Sequence, residues 1–257
     1  MTKRKTTAGV PWLTVGATGA VILAIAAVAL MLRPKHILAP TTNMTDPSAV
    51  TITTDDGVQL AATVKYPVRD SLSPAVILLH QYGQDRHQWD PYLQSFLAAG
   101  AGIAVLSYDM RGFGDSRIAN IPAGQAEHLD SLPNDLPAVI AYLKRQPSID
   151  PEKISVIGAS IGADVAFVGI GSRLGLYRAV LLSPVVRGTA LDGHQVSDFA
   201  PVGVYGLSDD KEQGDLKTFM AKVGNPKQDK IVPRGGHGVE LLTVAGVLDG
   251  IIAWISR

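Results

Sequence analysis

A serine hydroxyl attacks an acyl carbon only when a neighbouring base takes its proton, and that base needs an acid to orient it. All three residue types stand in this sequence at the ends of apolar runs. Ser160 is the centre of Gly158-Ala159-Ser160-Ile161-Gly162, between the short apolar run Ile154–Ile157 and the helix-forming stretch Ala163–Val168. That is the strand–turn–helix setting of a nucleophile elbow. The turn is so sharp that side chains two residues before and two after the serine would meet backbone, and glycine removes both. An acid emerges in Gly206-Leu207-Ser208-Asp209-Asp210, directly after a strand candidate, and His237 sits in Gly235-Gly236-His237-Gly238 before the last helix candidate. The chain order is therefore serine, acid, histidine.

These residues need a scaffold that brings distant segments to one edge. Val50–Thr54 and Leu60–Tyr66 flank Asp55-Asp56-Gly57, a strong hairpin signal. Ala75–Leu79, Ile103–Tyr108, Ile154–Ile157, Ala179–Leu182, Val202–Tyr205 and Lys230–Val232 are short strand candidates. Helices are expected over Trp89–Ala99, Leu129–Arg145, the stretch after Ser160, Leu216–Val223 and Glu240–Ile255. A hairpin followed by alternating strand and helix predicts an α/β domain, with a mostly parallel sheet of about eight strands wrapped on both faces.

Several motifs together resemble the α/β-hydrolase superfamily, within it the dienelactone-hydrolase-like and small serine esterase branches. Asp109-Met110-Arg111-Gly112-Phe113-Gly114-Asp115-Ser116 looks like the turn after the family's fourth strand. Asp150-Pro151-Glu152-Lys153-Ile154 looks like its approach to the elbow. His80-Gln81-Tyr82-Gly83 stands where the family has H-G-x-G, with Gln81 in place of a glycine. The resemblance covers residues 50–257 and implies a Ser160–Asp209–His237 triad, the acid being the one three residues after Gly206. It also implies an oxyanion hole from the backbone N–H groups of Tyr82 and Ile161. His80 is expected to be structural, and Asp109 and Arg111 to brace their turn.

Composition excludes other classes. The 257 residues carry 23 basic and 23 acidic side chains, a balance that argues against nucleic acid as a partner. There is no cysteine, and His36, His87, His128 and His194 show no ligand spacing, so neither metal nor cofactor is expected. The elbow glycines do not make G-x-G-x-x-G, and Leu182-Ser183-Pro184 lacks the acid of a dinucleotide site.

The N-terminus reads differently. Residues 1–9 form a basic tail, and Val10–Leu32 contains no charge. As a helix that span is roughly 34 Å long, enough to cross a membrane. Ala27-Val28-Ala29 also matches a signal-peptide cleavage site, but the apolar run exceeds the usual ~7–15 residues and favours an uncleaved anchor. Residues 33–49 would be a tether, with domain 50–257 on the extracytoplasmic side. Only Ser183–Pro201 separates the sixth strand from the seventh, too little for a large cap. The expectation is a membrane-tethered serine hydrolase of small-molecule esters with short or soluble acyl groups. A non-catalytic binding or scaffold protein and an acyltransferase are the alternatives.

Overall fold

The computed structural model describes residues 48–100, 102–118, 126–185, 203–224 and 226–257. The span expected to cross a membrane, residues 33–47 of the expected tether and most of the Ser183–Pro201 connection lie outside these, while Ser48 and Ala49, expected in the tether, already belong to the first strand. Among the described residues no helix is long and apolar enough to cross a membrane.

Eight strands form one sheet: β1 (Ser48–Thr53), β2 (Gln59–Lys65), β3 (Ser73–Leu79), β4 (Ala104–Tyr108), β5 (Ile149–Ala159), β6 (Arg178–Leu182), β7 (Gly203–Ser208) and β8 (Lys227–Ile231). Their spatial order is 1-2-4-3-5-6-7-8. β2 runs antiparallel to both β1 and β4, and every later pairing is parallel. The carboxyl ends of β3 to β8 therefore share one edge, where ligands bind in open α/β sheets.

Helices α1 (Leu93–Leu97), α2 (Leu136–Lys144), α3 (Ile161–Gly171), α4 (Gln213–Ala221) and α5 (Val247–Ile255) cover the two faces. Alternation along β3 shows why its whole run is apolar. Ala75, Ile77 and Leu79 join the core under α2, α3 and α4, while Val76 and Leu78 join the core under α1 and α5. A strand buried on both faces has no polar side to present. α3 is buried from Ile161 to Ile170 and is apolar apart from Asp164, whose Oδ1 accepts from the Val185 N–H at 3.1 Å.

Three expected helices prove shorter and begin or end in 3₁₀ turns. Pro91 lies inside a 3₁₀ segment, Arg86–Tyr92, that precedes α1. Pro133 lies in another, Ala126–Asp135, before α2, whose own Pro137 occupies its first turn. None of these three prolines could donate an interior helical hydrogen bond. The closing helix is split: Gly238–Thr243 is 3₁₀, and Gly246 at φ +76° turns the chain before α5. β5 starts five residues earlier than the apolar run and β8 three residues earlier. β8 is almost wholly exposed and shows no hydrophobic pattern.

Candidate active site

β5 ends at Ala159 and α3 begins at Ile161, so the entire reversal falls on Ser160, at φ 54° and ψ −119°. Positive φ strains a residue with a Cβ and persists only where the surroundings enforce it. They do so here through backbone packing. A methyl group on Gly158 would overlap the Gly162 carbonyl, and one on Gly162 would lie 2.5 Å from the Leu79 carbonyl oxygen. The Ser160 N–H donates to the Leu182 carbonyl at 2.8 Å, tying the elbow to β6. Ser160 is 7% exposed and its hydroxyl makes no hydrogen bond to another described residue.

His237 stands at the same edge, after β8. Its Nδ1 is 2.6 Å from Oε1 of Glu212, with both side chains about one-third exposed (36% and 31%). Asp209, expected to orient this imidazole, does not hydrogen-bond to it. Its Oδ1 accepts from the backbone N–H groups of Lys211 and Glu212, at 2.9 and 3.1 Å. A short aspartate at the strand end thus folds its own loop back, and the loop delivers the longer Glu212 to the imidazole. Asp210 is committed elsewhere: it accepts from the Arg234 N–H at 2.9 Å, which holds its carboxyl below the ordinary value.

The histidine loop is held by three side chains from three places. Glu240 Oε2 accepts from the N–H of His237 at 3.0 Å, Ser183 Oγ from that of Gly238 at 3.0 Å, and Gln81 Oε1 from that of Val239 at 3.1 Å. Gly236 and Gly238 adopt positive φ (78° and 60°) to make the path possible.

The turn after β3 carries the expected oxyanion donor Tyr82. His80 is fully buried, with Nδ1 2.7 Å from the Gln81 carbonyl and Nε2 3.0 Å from the Met110 N–H. One partner accepts and the other donates, so both nitrogens are satisfied by a neutral ring. Burial, the larger influence, holds this imidazole below its ordinary value against the pull of the Gln81 carbonyl. The Gln81–Tyr82 peptide has its C=O turned to His80, and a trans peptide directs the N–H of Tyr82 the opposite way. Gly162 packs on the Leu79 and His80 carbonyls, so Ile161 at the first position of α3 is brought beside this turn.

Asp109 and Arg111 brace the next turn. Asp109 accepts from the Arg86 side chain, the Arg86 N–H at 2.7 Å and the Asp115 N–H at 2.7 Å. Arg111 bridges buried Asp135 at 2.6 Å and exposed Asp56 at 2.7 Å. Burial pushes Asp135 up to about 6 despite that partner, whereas the hydrogen bonds from Arg111 and then Thr54 bring Asp56 down to about 2.

Comparison with known proteins bears on the family and the fold. The family model Hydrolase_4, described as serine aminopeptidase, S33, matches residues 70–203, just over half of the chain. The chain belongs to this family of α/β-hydrolases. An uncharacterized protein of Mycobacterium tuberculosis is 30% identical over 234 residues, 81% of this chain and 79% of that protein. Three solved structures share the fold. An α/β-hydrolase of Penicillium sp. sh18 has a TM-score of 0.68 at 14% identity, covering 83% of this chain and 99% of that one. A Pyrococcus furiosus esterase has a TM-score of 0.64 at 19%, covering 82% and 91%. A dienelactone hydrolase of Anabaena variabilis has 0.62 at 18%, covering 82% and 97%.

In this α/β-hydrolase the structure brings Ser160, His237, Tyr82 and Ile161 to the carboxyl edge of the sheet, with Asp209 in a supporting loop. Sequence reasoning missed Glu212, Ser183 and Glu240, and noted Gln81 only as a departure from a glycine, without its contact to Val239. Glu240, three residues after His237, is the one with a local signal, the spacing of a capping side chain. The other three act across gaps of 25 residues or more.

Proposed function

We propose that this hydrolase cleaves carboxylic esters through an acyl-enzyme on Ser160. The observation that carries the reading is a serine at a strained elbow together with an imidazole whose Nδ1 is held by a carboxylate. With Nδ1 engaged by Glu212, Nε2 is the nitrogen left to take the Ser160 proton as Oγ bonds to the acyl carbon. The tetrahedral oxyanion is met by the N–H groups of Tyr82 and Ile161, and Glu212 stabilises the imidazolium. His237 then returns the proton to the leaving alkoxide, and water repeats the sequence to free the acid. Asp209 acts in this reading through the Glu212 loop.

The esterase and dienelactone hydrolase neighbours support ester substrates, and the short connection after β6 supports an uncapped site for short or soluble acyl groups. The family's description favours a second substrate class, aminoacyl amides, attacked by the same machinery. The test is labelling of the purified full-length chain by a fluorophosphonate, followed by p-nitrophenyl esters of increasing length and aminoacyl p-nitroanilides. Labelling of Ser160 and preference for acetate or butyrate esters are expected, with a loss approaching ~10⁶ in Ser160→Ala. An unlabelled protein would leave the scaffold reading in its place. Preference for the anilides would move the activity to peptides.

Residues 10–32 are proposed to anchor the chain, with the catalytic domain outside the cytoplasm. The uncharged span supports this. The full-length chain should resist alkaline extraction from membranes, and a soluble mature form beginning near Leu30 would mean a signal peptide instead.

A further inference from the structure

Gln81 occupies the place of a family glycine and is engaged through both its backbone and its side chain. Its N–H donates to Gln88 Oε1 at 2.9 Å, and its C=O accepts from His80. Its side-chain oxygen accepts twice, from Gln88 Nε2 at 2.8 Å and from the Val239 N–H at 3.1 Å. Backbone donors at both ends fix the orientation of both amides, because each oxygen must face an N–H. The Gln81 side chain also lies against the bare face of Gly238, where a methyl group would be 2.6 Å from Cδ. The same 3₁₀ segment that carries Gln88 sends Tyr92 Oη to the Val239 carbonyl at 3.3 Å. Val239 is thus held at both its N–H and its C=O.

We propose that Gln81, backed by Gln88, is a positioning residue that locks the His237 loop to the oxyanion turn. The proposal rests on the serine-hydrolase reading above. Its consequence is that one side chain ties the oxyanion turn directly to the histidine loop. In a glycine-bearing relative the two loops would have to be registered by other contacts. A glycine at 81 would free the turn but release the histidine loop. The chain keeps the larger residue and opens room for it with Gly238.

A purely structural glutamine would lower stability without altering the chemistry of the site, so the test reads both. Full-length wild type, Gln81→Leu, Gln81→Glu and Gln88→Leu are compared by kcat and KM on p-nitrophenyl acetate, by fluorophosphonate labelling rate, and by thermal unfolding. Gln81→Leu keeps the bulk and loses the acceptor, so kcat and labelling rate should both fall ~10–10²-fold, as misplacement of a catalytic group does. KM should stay within about twofold, because ground-state binding is untouched. Gln81→Glu keeps an accepting oxygen and should recover most of the rate at high pH. Its acid limb should move upward, because a carboxylate against the loop favours the imidazolium. Gln88→Leu should fall in the same direction by less, and decides the matter if Gln81→Leu does not fold. Wild-type kcat and labelling in both leucine variants, or Gln81→Glu as poor as Gln81→Leu, would overturn the clamp while leaving the hydrolase intact. A wild type inert to the fluorophosphonate would overturn the hydrolase reading and the clamp with it.

Discussion

The proposed nucleophile and the proposed base of this site are positioned by opposite means. Ser160 is held by covalent continuity and backbone sterics within five residues, where two glycines let α3 fold onto the ends of β5 and β3. The His237 loop is held by hydrogen bonds to oxygens of Glu212, Glu240, Ser183 and Gln81, side chains of four separate segments. A steric device of this kind fails all at once, whereas a device built from hydrogen bonds degrades in steps of about a kilocalorie per lost bond.

The largest expected effect breaks the steric side. Gly162→Ala puts a methyl group 2.5 Å from the Leu79 carbonyl oxygen and 2.8 Å from that of His80, where only backbone movement gives relief. Labelling of Ser160 should be lost and stability should drop by at least ~1–3 kcal/mol. Gly250→Ala in α5, where a methyl group meets nothing within 4 Å, should be neutral or stabilising by up to ~1 kcal/mol. Fluorophosphonate labelling and urea denaturation of the two variants check the contrast, and a labelled, stable Gly162→Ala would refute it.

An intermediate effect sharpens the side built from hydrogen bonds. Glu212→Gln removes the charge that holds the imidazole in its working tautomer, so kcat should fall ~10²–10⁴-fold. Asp209→Asn retains an oxygen able to accept from the Lys211 and Glu212 N–H groups. It should lose less than about tenfold, since only charge-independent backbone bonds are needed. The reverse order in a kinetic comparison would return the orienting role to Asp209.

The smallest effect concerns the peptide that links the two devices. Because burial lowers the His80 value below 6.5, the unfolded chain takes up a proton that the folded protein refuses. Stability from this group is complete above ~6.5 and is lost as pH falls, by up to ~1.4 kcal/mol per unit. Asp135, raised from 3.8 to about 6, contributes the opposite slope below pH 6 in every variant. The difference between wild type and His80→Gln therefore isolates the histidine. Urea midpoints from pH 7 to 5 should fall more steeply in wild type, and parallel curves would mean that His80 titrates normally.

The sequence alone determined the features that local chemistry makes unavoidable. A pentapeptide with glycines flanking a serine, set between an apolar run and a helix former, leaves one way to turn, and it was readable as such. Alternating strand and helix signals likewise set the parallel sheet and the edge on which Ser160, Tyr82 and His237 meet. Exposed β8 was legible only at its end, in Lys230 and Ile231, and its earlier start at Lys227 is enforced by pairing with β7. Which carboxylate reaches His237 was decided only by tertiary structure. Asp209, Asp210 and Glu212 all follow β7 within four residues, and each is chemically able to orient an imidazole. Their division of labour depends on which backbone N–H groups the folded loop presents to the two aspartates, and on the extra methylene that lets Glu212 span the remaining gap. Gln81 is the same case at longer range. Nothing within ten residues of it reveals that its amide oxygen will meet an N–H 158 positions away, because that meeting exists only once β3 and β8 stand in one sheet.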